Sequence, residues 1–328
     1  MAELSLAGDG TARMGYGGDT FNTAVYLSRL GQPTRYLTAF GDDPWSARAR
    51  KLLASEGVDD SACPVAAGRT LGLYAIQTAE NGERSFTYWR DAAPAKDLFG
   101  KLFNDSINNT MLSARLIYLS GITLWLYEDP DLDRLFGLVE RARAGGAQVA
   151  FDGNYRPRLW GPIRGKAQQI YTRMLALTDV CLATFDDEAL LWDDTDAAQS
   201  HRRLTAMGAR EVVVKCGPAG ALIAAGHLVK ATPNAAPVDT TAAGDSFNAA
   251  YLAARLSQLG SEQSAEAGNA LAGRVITHRG ALIPAEPCFS RPKSAVSGLP
   301  AAQATVGRRN PHESAPKGCD SHGPKGQG

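Results

Sequence analysis

Several common kinds of protein leave marks that this sequence does not carry. Its 328 residues include only five cysteines, Cys63, Cys181, Cys216, Cys288 and Cys319, dispersed and with no CxxC pair. An odd, scattered set argues against a disulfide framework or a zinc site and fits a reducing compartment. No run of 18 apolar residues occurs, so no membrane-spanning helix is expected, and the first residues lack the basic-then-apolar form of a signal peptide. Acidic and basic residues balance at 34 each, which gives no electrostatic bias toward nucleic acid or an anionic membrane surface. The five histidines (His201, His227, His278, His312 and His322) fall outside the polar loops described below, and no GxSxG is present; a nucleophilic triad is therefore not expected. No GxGxxG follows the first strand, which lowers a dinucleotide-binding reading. What remains is a soluble, cytoplasmic protein, 44% hydrophobic, with material for one large α/β domain or two modest ones.

Apolar periodicity supplies the organisation. Residues 1–16 show little of it. A helix is expected from Asp19 or Thr20 to Gly31, a short strand over Arg35–Phe40, and a helix over about Trp45–Glu56. Leu71–Thr78 and Arg84–Arg90 alternate as strands around an Asn81-Gly82 turn, a hairpin projecting as a small sheet. From residue 115 strands and helices alternate: strands at 115–120, 148–152, 179–183 and 211–215, with helices at about 129–144, 166–177, 186–192 and 197–207 between and around them. A β-rich piece (221–225, 227–231) and two helices (243–258, 264–278) complete the ordered part. Such a series implies a mostly parallel sheet covered on both faces, with ligands at the carboxyl ends of its strands. Residues 290–328 are rich in Pro, Gly, Ser, Lys and Arg, the composition of a disordered tail.

The polar loops carry the chemistry. Val238–Asn248 reads VDTTAAGDSFN and runs into a helix. Small residues before a helix start leave backbone N–H groups uncovered, a setting for a phosphate anion. Asp245 at that turn is suited to take a proton from a hydroxyl that attacks the phosphate; the plainer alternative is a helix cap. The Gly17-Gly18-Asp19 turn permits close backbone approach to a polyhydroxyl ligand, with Asp19 and Asn22 bonding hydroxyls, or is simply a tight helix entry. Tyr88 and Arg90 share a strand face and Tyr74 can lie beside them, an aromatic platform with a guanidinium for a carboxylate, or a solvated sheet face. Asp152, Asn154 and Arg156 sit two apart at a strand end; without a ligand they need mutual pairing. Arg158 is a weaker candidate. Asp186, Asp187 and Glu188 start a helix, where acidic residues are favoured in any case, or hold Mg²⁺ through water. VVVKCGPAG (212–220) is a strand and glycine loop that can pass under a nucleotide.

Taken together, GGDTFN, GLYAIQT, GERSFTYWR, FDGNYRPRLW, VVVKCG and DTTAAGDSFNAAYLA resemble the ribokinase/PfkB-like family of carbohydrate kinases over about residues 3–285. The Ala pair before Gly244 and the YWR and NYRPRLW stretches resemble its 2-keto-3-deoxygluconate branch. The resemblance implies a ribokinase-like α/β/α domain over 1–289 with a β lid at about 62–91. It also implies transfer of the γ-phosphoryl of ATP, with Mg²⁺, to the 6-hydroxyl of the sugar acid; the family pattern leaves room for a monovalent cation and for a homo-oligomer through the lid. By match to the motifs, Asp245 is the base and the amides of Ala242, Ala243 and Gly244 are the anion hole. Gly18, Asp19, Asn22, Tyr74, Tyr88, Arg90 and Arg156 hold substrate. Asn154, Arg156, Lys215, Gly217 and Gly220 line the nucleotide side, and Asp187 holds the metal through water. The family's Asn-x-x-Glu reads Thr184 to Asp187 here. Its members also have an apolar strand before the Met-x-Glu-Leu seen at Met1 to Leu4, so the sheet is expected to be one strand short. A kinase for a neutral sugar such as fructose or ribose, and a non-catalytic sugar-binding relic, are the competing readings.

Overall fold

The computed structural model describes residues 1–6, 10–78, 84–162, 164–224, 226–232 and 237–285. The chain divides into two units, Met1–Ala295 and Val296–Gly328. The second unit, the expected tail from 290 and the Asn81-Gly82 turn lie outside the described residues.

In chain order the first half contains β1 (Ala2–Leu6), β2 (Ala12–Tyr16), α1 (Asp19–Arg29), β3 (Phe40–Gly41), α2 (Pro44–Ser55), β4 (Val65–Ala66), β5 (Leu73–Thr78), β6 (Arg84–Trp89) and α3 (Asp105–Leu112). The α/β series follows: β7 (Leu116–Ser120), α4 (Gly121–Trp125), α5 (Asp129–Ala144), β8 (Gln148–Asp152), α6 (Pro157–Trp160), α7 (Arg164–Leu175), β9 (Val180–Thr184), α8 (Phe185–Trp192), α9 (Ala197–Ala206) and β10 (Glu211–Lys215). It closes with β11 (Gly220–Ile223), β12 (His227–Lys230), α10 (Ala243–Leu256) and α11 (Ser261–Val275).

The main sheet has six strands in the order β12-β11-β10-β9-β8-β7. Strands β7 to β10 are parallel, and β11 and β12 add antiparallel pairs. Alternation along the strands divides the core. Val149, Phe151, Cys181 and Ala183 pack on one face against Leu135, Phe136 and Tyr171. Ala150, Val180 and Leu182 pack on the other against Tyr26, Phe247 and Tyr251. Successive side chains of a strand point to opposite faces, so these almost wholly apolar strands require helices on both sides. The result is a three-layer α/β/α unit, as the strand–helix alternation implies. Among the described residues no helix is long and apolar enough to cross a membrane.

The small sheet expected as a lid is larger than a hairpin. β5 and β6 pair antiparallel as the expected hairpin, with Tyr74 opposite Tyr88, and β1 and β2 extend them into a four-stranded sheet of order β2-β1-β5-β6. Residues 2–6 and 12–16, too short to show a period, become strands because β5 supplies a parallel partner for β1. The strand expected over Arg35–Phe40 does not form: only Phe40–Gly41 pairs, with β4, beside an isolated bridge from Arg35 to Asp59. One side of the segment bonds to the following loop, Tyr36 N–H to Asp59 O at 2.9 Å and Phe40 N–H to Pro64 O at 3.0 Å. The rest borders a cavity of about 640 Å³ that is also lined by Leu116, Ile117 and Tyr118 of the outermost strand β7. With no neighbouring strand on that side the ladder does not propagate.

Candidate active site

Asp245 stands in the first turn of α10, where Ala242 takes a left-handed conformation (φ 61°) that bends the chain into the helix. The approach is pinned by Asp239, which accepts from Thr241 N–H at 2.8 Å and Gly280 N–H at 2.9 Å. Of the three amides expected at the anion hole, that of Ala243 already donates to Thr240 O at 3.2 Å. Closure of the turn thus engages one of the three. The amides of Ala242 and Gly244 have no backbone acceptor among the described residues and still face the helix entrance.

The GGD loop meets this helix directly. Gly18, at φ 146°, occupies a conformation open to glycine, and a Cβ on Gly17 would lie 2.8 Å from the Tyr74 hydroxyl oxygen. The turn delivers Asn22, whose Nδ2 donates to Asp245 Oδ2 at 2.8 Å. Asn22 Oδ1 is buried with no partner among the described residues, an acceptor that a ligand hydroxyl would satisfy. Asp19 accepts from Asn154 Nδ2 at 2.8 Å and from Ser120 Oγ. Burial pushes the pKa of Asp245 up to about 7, and the charge of Asp19 adds to it; the Asn22 hydrogen bond and the Lys215 charge act in the opposite direction. A carboxylate tuned to that value exchanges protons at neutral pH.

On the lid side, Tyr88 and Arg90 come together as expected: the Arg90 guanidinium carbon lies 4.4 Å from the centre of the Tyr88 ring. The Tyr74 and Tyr88 rings are 6.0 Å apart, but the Tyr74 hydroxyl donates to Glu3 Oε2 and serves the base of the lid.

The FDGNYRPRLW loop divides. Asn154, in a left-handed conformation (φ 39°), donates to Asp19. Arg156 pairs with Asp187 at 3.1 and 3.2 Å; its side chain is 49% exposed and that of Asp187 14%. Burial raises the Asp187 pKa, and the Arg156 charge opposes that rise. Among the described residues no group of three or more His, Cys, Asp or Glu is arranged to hold a metal ion. Asp187 alone fits an ion held mainly through water, which needs few carboxylates. Gly220 has a structural reason to be glycine: at φ 113°, a Cβ there would meet Val229 O at 2.1 Å. Gly217 (φ 54°) opens the turn after β10.

Beneath Asp245 lies a buried network that motif reading touches only through Lys215 and Asp152. Lys215 Nζ donates to Asn248 Oδ1 at 2.9 Å and lies 3.4 Å from Asp152 Oδ1. Asn248 Nδ2 donates to Asp152 Oδ2 at 2.9 Å and to the Tyr118 hydroxyl at 3.1 Å. Asn248 was legible in principle: three residues after Asp245, it shares a helix face with it. Tyr118 and Ser120 occupy alternate positions at the carboxyl end of β7, but nothing local marks them. Lys215→Met leaves Asp152 a buried carboxylate without a cation. We expect a loss of about 3–5 kcal/mol of stability, read as a lowered urea midpoint; an unchanged midpoint would show that the hydrogen bonds of Asn248 and Tyr118 suffice.

Comparison with known proteins agrees with this arrangement. The pattern described as pfkB family carbohydrate kinase matches residues 4–288. The chain is 40% identical over 296 residues to the 2-dehydro-3-deoxygluconokinase of Escherichia coli K12, covering 87% of this chain and 95% of that one. In three dimensions it is similar to a PfkB protein from Polaromonas sp. JS666 (TM-score 0.75, 23% identity, 84% of this chain and 93% of that one). It is similar also to aminoimidazole riboside kinase from Salmonella enterica complexed with aminoimidazole riboside and an ATP analogue (TM-score 0.72, 23% identity, 85% and 91%). The two structural likenesses establish the fold; the pattern over nearly all the described chain and the 40% relative establish the kinship. The chain belongs to the pfkB family of carbohydrate kinases.

Proposed function

We propose that the protein transfers the γ-phosphoryl group of ATP to the 6-hydroxyl of 2-dehydro-3-deoxygluconate. The observation that carries this reading is Asp245: a carboxylate with a pKa of about 7, in the first turn of a helix with open amides, hydrogen-bonded to Asn22 from the sugar-binding loop. The sugar hydroxyl gives its proton to Asp245 and attacks the γ-phosphorus, and the oxygen bridging to ADP leaves with the bond electrons. The amides of Ala242 and Gly244 face charge developing on the phosphates, and positioning with electrostatic stabilisation is most of what phosphoryl transfer requires.

The choice of a sugar acid rests on the 40% relative and on Arg90, whose guanidinium has no hydrogen bond or ion pair among the described residues. Arg156 has a different place in this reading. Its own side chain is half exposed although Asp187 is largely buried, so the guanidinium is within reach of a phosphate, to which a charge-assisted bond contributes about 1.5–3 kcal/mol. ATP therefore draws Arg156 onto a phosphate and frees Asp187 to hold Mg²⁺ through water; the ion would neutralise charge on the β- and γ-phosphates. Lys215 adds positive charge beneath the helix entrance. A monovalent cation and a homo-oligomer through the lid belong to the same reading, the latter supported by exposed Trp89 and Leu6 on the lid sheet.

Phosphorus NMR of a reaction with ATP and 2-dehydro-3-deoxygluconate should show a phosphomonoester on O6; ADP formation without it would refute the assignment. The pH dependence follows from Asp245. The base works when ionised, so kcat/KM should rise about tenfold per pH unit below about 7 and level off above it. A profile flat from pH 5 to 8 would exclude a base with that pKa.

A further inference from the structure

Arg90 is held on two sides. Its guanidinium carbon lies 4.4 Å from the centre of the Tyr88 ring and 5.1 Å from that of Trp125. Tyr88 belongs to the lid, whereas Trp125 ends α4, the short helix capped by Ser120 at the carboxyl end of β7. Lys96, in the turn Pro94–Asp97 that follows the lid, places its ammonium 5.6 Å from the centre of the same indole. Neither the Arg90 guanidinium nor the Lys96 ammonium has a hydrogen bond or ion pair among the described residues. Two cations thus flank one indole beside the lid sheet; Asp91 and Asp19 act on Arg90 through their charge, but neither forms an ion pair with it among the described residues.

A guanidinium over aromatic faces gains cation–π attraction and keeps its in-plane N–H groups free. Those edges form the fork that binds a carboxylate bidentately. Without a second wall, an arginine at the end of an edge strand would sample many rotamers and lose that freedom on binding. We infer that Trp125 is a positioning residue for acid selection: its indole holds the Arg90 fork ready for the carboxylate of the substrate and ties it to the main sheet. Lys96 supplies a second positive charge beside the same ring. The inference rests on the reading of Arg90 as the carboxylate partner.

The test is calorimetric binding of 2-dehydro-3-deoxygluconate to wild type, Trp125→Leu, Trp125→Phe, Arg90→Ala and the Arg90→Ala/Trp125→Leu double variant, with KM and kcat for the acid and for fructose. Trp125→Leu should raise Kd and KM for the acid about 3–30-fold, the range of a cation–π contact. It should leave kcat and the fructose KM within about twofold. Trp125→Phe should restore most of the loss, and the double variant should bind no worse than Arg90→Ala, because the indole acts through the arginine. Full additivity in the double variant, or a Trp125→Leu enzyme with unchanged Kd, would overturn the inference while leaving the carboxylate reading of Arg90 standing. An Arg90→Ala enzyme that binds the acid normally would overturn both.

Discussion

Asp245→Asn is expected to lower turnover by about 10²–10⁴-fold, the contribution of a positioned general base, with the fold intact. The asparagine can keep the contact with Asn22 once one amide turns over, but it cannot accept the hydroxyl proton. The same substitution should stabilise the protein at alkaline pH, and the sign follows from linkage. Asp245 has a folded-state pKa of about 7, raised from 3.8. The folded state therefore binds the proton more tightly than the unfolded chain, and the stability this confers is complete below about pH 4 and lost as pH rises through 7. Asparagine is uncharged throughout. Its Tm should exceed that of wild type at pH 8, and the difference should shrink toward pH 5. A variant that is inactive and also less stable at pH 8 would mean that the carboxylate is a structural cap. Near-normal turnover would remove it from the chemistry.

Arg90→Ala is expected to lower kcat/KM for the sugar acid roughly 10–150-fold, mostly through KM, and to leave a neutral sugar unaffected. The magnitude is that of charge-assisted hydrogen bonds, about 1.5–3 kcal/mol. The structure sharpens the choice between the two arginines that sequence reading left as joint partners. Arg156 is occupied by Asp187, whereas Arg90 is held between rings with its hydrogen-bonding edges unmet. An equal effect of Arg90→Ala on fructose would mean that the guanidinium braces the lid.

What the sequence disclosed about the fold depends on length and repetition. Asp129–Ala144, Gln148–Asp152 and Glu211–Lys215 appear with the limits their periodicity predicts, because each buries a face large enough to decide its own structure. Residues 2–6 and 12–16 have no such face; they pair with each other, and residues 2–6 also pair with β5 about 70 residues further along. Arg35–Phe40 has the composition of a strand without a second neighbour. The site follows the same rule. Asp19, Asn22 and Asp245 stand in the first turns of α1 and α10 and Arg90 just past β6, in polar stretches whose composition makes sense only with a ligand. Ser120, Tyr118, Trp125 and Lys96 are ordinary residues where they stand, and they matter because the fold sets them beside Asp19, Asp152 and Arg90. That side-chain traffic between elements about 30 to 100 residues apart leaves no local trace.

The most direct measurement is the rate of ATP consumption by the purified protein with 2-dehydro-3-deoxygluconate, fructose and ribose, coupled to detection of ADP. Turnover of the sugar acid is expected with kcat/KM well above that of either neutral sugar, and that turnover should be lost in Asp245→Asn. Preference for fructose or ribose would contradict the assignment of a sugar acid, and absence of ATP-dependent turnover with all three would contradict the catalytic reading itself.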